Sequence, residues 1–284
     1  MPARILHLSD LHTGTREEPE VERALAALIE TATPELIVAS GDLTHRGRAD
    51  QHERAARFLR SFGLPLLTIP GNHDIPYTLP HRFTNPWSEF ERHWGTTQPV
   101  YRSGQFLVVG LNSVRPFRHQ SGSLQESQLR WAAAQLADAE AGVLRVVTLH
   151  HHLLGAPWRS RKKPVADRNH VLASLVDAGA ELILAGHIHQ ATVSERREFE
   201  LARPGGERAV TVSIAPGLGQ PRPNRRGEAR GLHLYDAEPE SILVRTYVWR
   251  VDGWALVATR RFPRGQEPLA FRPEEASMVD RERP

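Results

Sequence analysis

The chain has 284 residues, no cysteine, and 36 Lys and Arg against 33 Asp and Glu, a formal net charge of +3. Without thiols it has no disulfides, thiolate metal sites or cysteine nucleophile, which points any metal site toward Asp, Asn and His. So small a surplus does not by itself point to nucleic acid, and it leaves room for an anionic substrate.

The first apolar run begins at Ile5, with no basic segment, long apolar stretch or cleavage-type sequence ahead of it. No window approaches the roughly 18 apolar residues of a membrane span, and the expectation is a soluble, cytoplasmic protein. Residues 5–8 read as a buried strand running into Ser9-Asp10-Leu11-His12. Alternation along an extended segment would put Asp10 and His12 on one side, placed to grip one cation. Residues 20–31 carry apolar positions at helical spacing; residues 36–40 are a second apolar strand, ending in Gly41-Asp42. A helix over 49–62 leads to a strand over 66–69, which ends in Pro70-Gly71-Asn72-His73-Asp74. Residues 75–95, rich in Pro, His and aromatics, read as a long loop with a short helix near 87–94, placed to serve as a pocket wall.

Further on, a strand over 106–111 closes with Asn112-Ser113, and a helix is expected over 125–139. A strand over 145–149 ends in His150-His151-His152, and a basic loop over 155–164 holds Arg159, Arg161, Lys162 and Lys163. A helix over 166–178 is followed by a strand over 181–185 that ends in Gly186-His187-Ile188-His189. Short alternating strands follow at 210–214, 231–235, 242–248 and 254–261, with an exposed loop over 215–230. Strands alternating with helices argue for βαβ units, and the expected organisation is one domain over 1–262 with a charged tail over 263–284.

Five strand ends thus deliver a residue that a hard or borderline metal binds: Asp10 and His12, Asp42, Asn72, His150 or His151, and His187 with His189. Each alone has an ordinary structural reading, such as a capping Asp, an Asn in a tight turn or a packed His. Those readings predict residues scattered along the chain, whereas open α/β sheets bind their ligands at strand C-termini.

In this order, Asp-x-His, Gly-Asp, Gly-Asn-His-Asp, a late His after an apolar strand and Gly-His-x-His resemble the calcineurin-like metallophosphoesterase superfamily. The likeness extends from about residue 5 to 189 and more loosely to 250, and is strongest with its bacterial cyclic-nucleotide and glycerophosphodiester phosphodiesterases. It implies an α/β fold, a two-sheet αββα sandwich with the active site at strand C-termini. It implies two metal ions (Mn, Fe or Zn), one held by Asp10, His12, Asp42 and His189, the other by Asp42, Asn72, His150 and His187, with Asp42 bridging. The implied enzyme is a metal-dependent phosphodiesterase in which a metal-bridging hydroxide attacks phosphorus in line, with Asp42 and His73 catalytic. Asn72, His73, Arg159 and Arg161 are the expected contacts to a small anionic phosphoester substrate.

One motif departs from the superfamily. Many relatives read Gly-Asp-x-x-Asp-Arg-Gly, where the later Asp orients the catalytic His, whereas this chain reads Gly41-Asp42-Leu43-Thr44-His45-Arg46-Gly47. Asp74 or a backbone carbonyl would then have to orient His73. The alternatives are a metal-dependent nuclease, a nucleotide-sugar pyrophosphatase or phosphomonoesterase of the same superfamily, and a non-catalytic metal-binding scaffold. Nucleic acid is the less favoured partner, no membrane partner is expected, and no oligomer is specified.

Overall fold

A computed structural model describes residues 3–15, 19–118, 120–156, 160–197, 209–219, 228–251 and 253–264. In chain order the elements are β1 (Ala3–Leu8), α1 (Pro19–Ala32), β2 (Leu36–Ala39), α2 (Ala49–Arg60), β3 (Leu66–Thr68), α3 (His81–Thr84), α4 (Ser88–Trp94), β4 (Val100–Arg102) and β5 (Phe106–Leu111). There follow α5 (Glu126–Ala137), β6 (Leu144–Leu149), α6 (Arg168–Asp177), β7 (Leu182–Ala185), β8 (Thr192–Arg197), β9 (Ala209–Ile214), β10 (Gly231–Ala237), β11 (Ser241–Arg250) and β12 (Gly253–Pro263).

The strands form two six-stranded mixed sheets, ordered β12-β11-β10-β1-β2-β3 and β4-β5-β6-β7-β9-β8. Strands β1, β2 and β3 are parallel, as are β5, β6, β7 and β9. Period-two alternation sends each strand's side chains into two layers. Ile5, Val38, Leu67, Val108, Val146 and Leu184 pack between the sheets. Leu6, Leu8, Ile37 and Ala39 face Val21, Leu25 and Ile29 of α1 with Ala55 and Leu59 of α2. On the far side, Val109, Val147 and Ile183 face Leu129 and Leu136 of α5 with Leu175 of α6. The result is an αββα sandwich with three apolar layers, each buried by the spacing that made its helix or strand.

Several expectations are corrected. Asp10 and His12 are not in an extended segment: β1 ends at Leu8, and both residues have left-handed backbone, with φ of 54° and 51°. The C-terminal strands are not short, since β11 and β12 have 10 and 11 residues. The loop over 75–95 contains α3 as well as α4. The loop after β9 is not exposed at its start, because Ala215 and Leu218 are buried and the Leu218 and Gly219 amides donate to the Ser9 and Asp10 carbonyls at 2.8 and 2.9 Å. Of the expected tail, Pro263 closes β12, and Arg264 donates to the Glu238 and Gly142 carbonyls, each at 2.9 Å; residues 265–284 lie outside the described residues.

Toward the strand C-termini the layer between the sheets turns polar. His7 Nε2 lies 2.8 Å from Ser40 Oγ, and its Nδ1 lies 3.2 Å from Tyr235 Oη. Tyr235 Oη is 2.7 Å from Ser213 Oγ, which is 2.9 Å from His233 Nδ1. All five residues are buried, and Ser213 belongs to the opposite sheet, so the network ties the two sheets together. Burial, with Arg260 adding to it, lowers the His233 ring to about 3. A doubly protonated ring would carry an N–H on Nε2, which among the described residues has no hydrogen-bond partner.

Candidate metal centre

The loops that leave β1 and β2 run side by side and are zipped by backbone hydrogen bonds. The amides of Asp10, His12 and Thr13 donate to the carbonyls of Gly41, Asp42 and Leu43 at 2.9, 2.9 and 3.0 Å. Asp10, His12 and Asp42 are therefore set by one ladder. The loop after β7 joins from the second sheet, where the His187 amide donates to Asp10 Oδ2 at 2.9 Å and Ser9 Oγ donates to the same oxygen at 2.7 Å. With Oδ2 occupied, Oδ1 faces His189 Nε2 at 2.9 Å and His12 Nε2 at 3.9 Å. The nitrogens of His12 and His189 lie 3.2 Å apart.

The second group forms around Asp42. Its Oδ1 accepts the His73 amide at 2.8 Å, while Oδ2 is buried and, among the described residues, takes no hydrogen bond. That oxygen lies 3.4 Å from His150 Nε2 and 3.9 Å from His12 Nε2, between the two groups. Asn72 Oδ1 stands 3.3 Å from His150 Nε2, and His187 Nδ1 stands 3.2 Å from it. His150 Nδ1 donates to the Ser40 carbonyl at 2.8 Å, and His187 Nε2 donates to the Gln120 carbonyl at 3.2 Å. Carbonyls only accept, so those protons are fixed, and in the neutral rings the lone pairs of His150 Nε2 and His187 Nδ1 converge.

Electrostatics agree with this geometry. Burial alone would raise the carboxyls of Asp10 and Asp42, yet the surrounding histidines, His189 first at Asp10 and His150 first at Asp42, hold both well below the usual range. Burial keeps His12 and His187 neutral. It works the same way on His150, but the Asp42 carboxylate prevails and raises that ring to about 9. Ionised carboxylates, the neutral rings of His12 and His187, a His150 proton that a cation would displace, and a carboxylate oxygen that takes no hydrogen bond among the described residues together form a cavity suited to cations. The donor set, oxygen and nitrogen without sulfur, fits borderline divalent ions.

Two glycines allow the close approach. A Cβ on Gly186 would lie 1.8 Å from Ser9 Oγ and 2.7 Å from Asp10 Oδ2; one on Gly71 would lie 2.2 Å from Asp42 Oδ1. Five residues of the cluster, Asp10, His12, Asp42, His187 and His189, have left-handed φ, against two other non-glycine residues among those described, Thr33 and Asp167. Strained backbone is thus concentrated where the candidate ligands sit.

His73 Nδ1 lies 2.7 Å from the His45 carbonyl and 2.9 Å from Tyr77 Oη. A carbonyl therefore orients His73. Asp74 does not, since its oxygens accept from the amides of Gly71, Leu43 and Thr44 and from the Thr44 hydroxyl, which braces the loop after β2. Of the histidine triplet, His150 faces Asp42, whereas His151 Nδ1 pairs with Ser113 Oγ at 2.9 Å. Asn112 Oδ1 accepts the Val114 amide at 3.0 Å and so belongs to its own turn.

In the basic loop, Arg159 lies outside the described residues and Arg161 is exposed. The cation that reaches the centre is Lys162, whose Nζ donates to the His187 carbonyl. Sequence reasoning did not single it out; a lysine within a run of four cations gives no sign of which one turns inward. Also missed are Ser9 and the Ser40, His45 and Gln120 carbonyls, of which only Ser9 has a side chain to notice. Beside His12, a cavity of about 410 Å³ opens between α1 and α2, lined by Leu11, Val21, Arg54, Phe58, Leu218 and Arg230. No helix among the described residues is long and apolar enough to cross a membrane.

A family model described as calcineurin-like phosphoesterase matches residues 3–191. The 3',5'-cyclic adenosine monophosphate phosphodiesterase CpdA of Escherichia coli K12 is 28% identical over 202 residues, 66% of this chain and 70% of that one. The glycerophosphodiester phosphodiesterase GpdQ of Enterobacter lignolyticus is 28% identical over 177 residues, 60% of this chain and 61% of its own length. Among solved structures, a dimetal phosphatase from Danio rerio superposes with a TM-score of 0.63 at 12% identity, over 93% of this chain and all of that one. A purple acid phosphatase from yellow lupin gives 0.67 at 12% identity over 93% of this chain, which spans about half (54%) of the lupin chain's length.

Proposed function

The chain belongs to the calcineurin-like phosphoesterase family, and from that premise we propose that it is a two-metal phosphodiesterase acting on small phosphodiesters. The observation that carries the two-metal reading is Asp42 Oδ2, buried without a hydrogen-bond donor among the described residues and 3.4 and 3.9 Å from imidazoles of the two groups. Burying a carboxylate costs on the order of several kcal/mol, which here the neighbouring imidazoles, His150 first, offset. Cations held by the two groups would take over that role.

In this proposal Asp10, His12 and His189 hold one ion, Asn72, His150 and His187 hold the other, and Asp42 serves both. Mn, Fe or Zn suits these donors. When bound, such a pair polarises a phosphoryl oxygen and acidifies water toward neutral pH. The chain's own residues do the rest. His150 and His187 are held in one tautomer by the Ser40 and Gln120 carbonyls, so their ligating nitrogens need no rearrangement. The His45 carbonyl likewise keeps a proton on His73 Nδ1 and turns Nε2 toward the centre. His73 then contacts the phosphoester, and protonating a leaving alkoxide requires its doubly protonated ring. The cavity beside His12 gives the organic half of a diester an apolar wall with cationic residues.

The diester preference is supported by the named activities of CpdA and GpdQ. It is tested by a panel run with Mn²⁺, covering aryl mono- and diesters, cyclic nucleotides and glycerophosphodiesters. Preferred turnover of diesters is expected, and a clear preference for monoesters would overturn the substrate class while leaving the metal centre standing.

A further inference from the structure

The proposed ion pair does not use every imidazole at this end of the sandwich. His12, His45 and His73 each offer a nitrogen, and the three nitrogens lie within 4.8 Å of one another. The His73 ring meets the His12 ring edge-on, with centroids 4.8 Å apart and planes at 89°. His45 lies nearly parallel to His73 at 5.7 Å and 6.0 Å from His12. His73 Nδ1 is engaged by the His45 carbonyl, so Nε2 is the nitrogen His73 has to give. His12 is buried, while His45 and His73 are half-buried, which leaves the group open to an ion from solvent.

The local sequence explains why this cluster exists. In the Gly41–Gly47 loop a histidine occupies the position where the superfamily pattern has a carboxylate. Since the backbone of His45 orients His73, that task does not fall to the imidazole. The resulting donor set is three neutral nitrogens with no carboxylate, which favours Ni²⁺, Cu²⁺ or Zn²⁺ over Mn²⁺. Metal–imidazole bonds of roughly 2.0–2.1 Å require the nitrogens to draw together somewhat, which χ rotation of the two half-buried rings provides.

We propose that His12, His45 and His73 form a third, all-imidazole cation site that takes a borderline divalent ion and thereby switches the centre off. His12 is common to this group and to Asp10, His12 and His189, and a neutral imidazole has a single ring-nitrogen lone pair to give. An ion held by His45 and His73 therefore draws His12 away from the Asp10 ion, and it also occupies the His73 face that meets substrate. The inhibitory half rests on the two-metal reading above; the binding half does not.

The test compares Mn²⁺-loaded wild type with His45→Asn, which keeps the backbone carbonyl. Added Ni²⁺ is followed by its inhibition of aryl-diester hydrolysis, relative to each protein's own Mn²⁺ activity, and by the Ni²⁺ bound and Mn²⁺ released. Wild type should lose activity, bind one more Ni²⁺ than the variant and release Mn²⁺ as it does so. In His45→Asn the inhibition midpoint should move up by about tenfold or more, at least what loss of a ligand's outer partner costs. Equal Ni²⁺ binding and equal inhibition in the two proteins would overturn the site. If neither protein hydrolyses diesters, the difference in bound Ni²⁺ and in the visible spectrum of bound Co²⁺ still decides it, and the phosphodiesterase reading alone fails. His45→Gln takes over if the Asn variant does not fold.

Discussion

Lowering the pH should destabilise the chain through His233, by an amount that follows from its surroundings. Its ring is buried between the sheets, bound through Nδ1 to Ser213 Oγ at 2.9 Å and Tyr235 Oη at 3.1 Å, with no partner for Nε2 among the described residues. Burial first, and Arg260 second, lower it from 6.5 to about 3. Between those values the unfolded chain binds the proton and the folded chain does not, so stability falls as pH falls through this window and levels off below it. The whole term is on the order of 4–5 kcal/mol, and the part lost by about pH 5 is about 2 kcal/mol. The perturbation is His233→Gln, uncharged throughout and still able to donate to Ser213 Oγ. Urea unfolding of both proteins at about pH 7.5 and about pH 5, with the same metal content, gives four free energies. Wild type should lose about 2 kcal/mol more than the variant between the two conditions; the buried histidines outside this network titrate in both proteins and cancel, and His7, on which His233 acts, is lowered first by its own burial. Equal losses, within about 0.5 kcal/mol, would refute the assignment of this window to His233.

Two further outcomes concern the centre. His73→Asn should retain the metal content of wild type by elemental analysis while its diester turnover falls by about 10²–10⁴, the range for a lost proton-transfer residue; unchanged turnover would remove His73 from the reaction. Gly186→Ala puts a Cβ 1.8 Å from Ser9 Oγ, which should lower stability by about 1–3 kcal/mol and weaken metal binding about 10–100-fold by displacing Asp10. Thermal unfolding and competition with a chelator measure the two effects separately.

What the sequence made legible was set by burial. β5 coincides with its expected span, since all six of its residues are buried and polar residues bound the run. β4 and β8 went unassigned: β4 is a three-residue edge strand with two half-buried residues and one exposed, so it presents no apolar run. The six Asp and His residues singled out stand in two compact groups, with Asn72 beside the second, because strand ends converge in this architecture whatever the intervening loops do. Which backbone atoms hold them was not legible. The Ser40, His45 and Gln120 carbonyls belong to the chain's course, and any residue type would supply them. Asp10 and His12 came together for a different reason from the one expected, through two left-handed residues pinned to the neighbouring loop.

That left-handed backbone bears on how such a protein decays. Each non-glycine residue held in a sparsely populated conformation costs on the order of 1–3 kcal/mol, and glycine at the same position avoids most of it. At Asp10, His12, Asp42, His187 and His189 the chain therefore favours replacements that would destroy the centre. In a duplicated copy released from selection for its chemistry, that relief would compete with the buried donors left unpaired, such as the His187 and His73 amides that Asp10 and Asp42 accept. Glycines would therefore be expected first at His12 and His189, and last at the two aspartates, whose carboxylates hold the neighbouring loops.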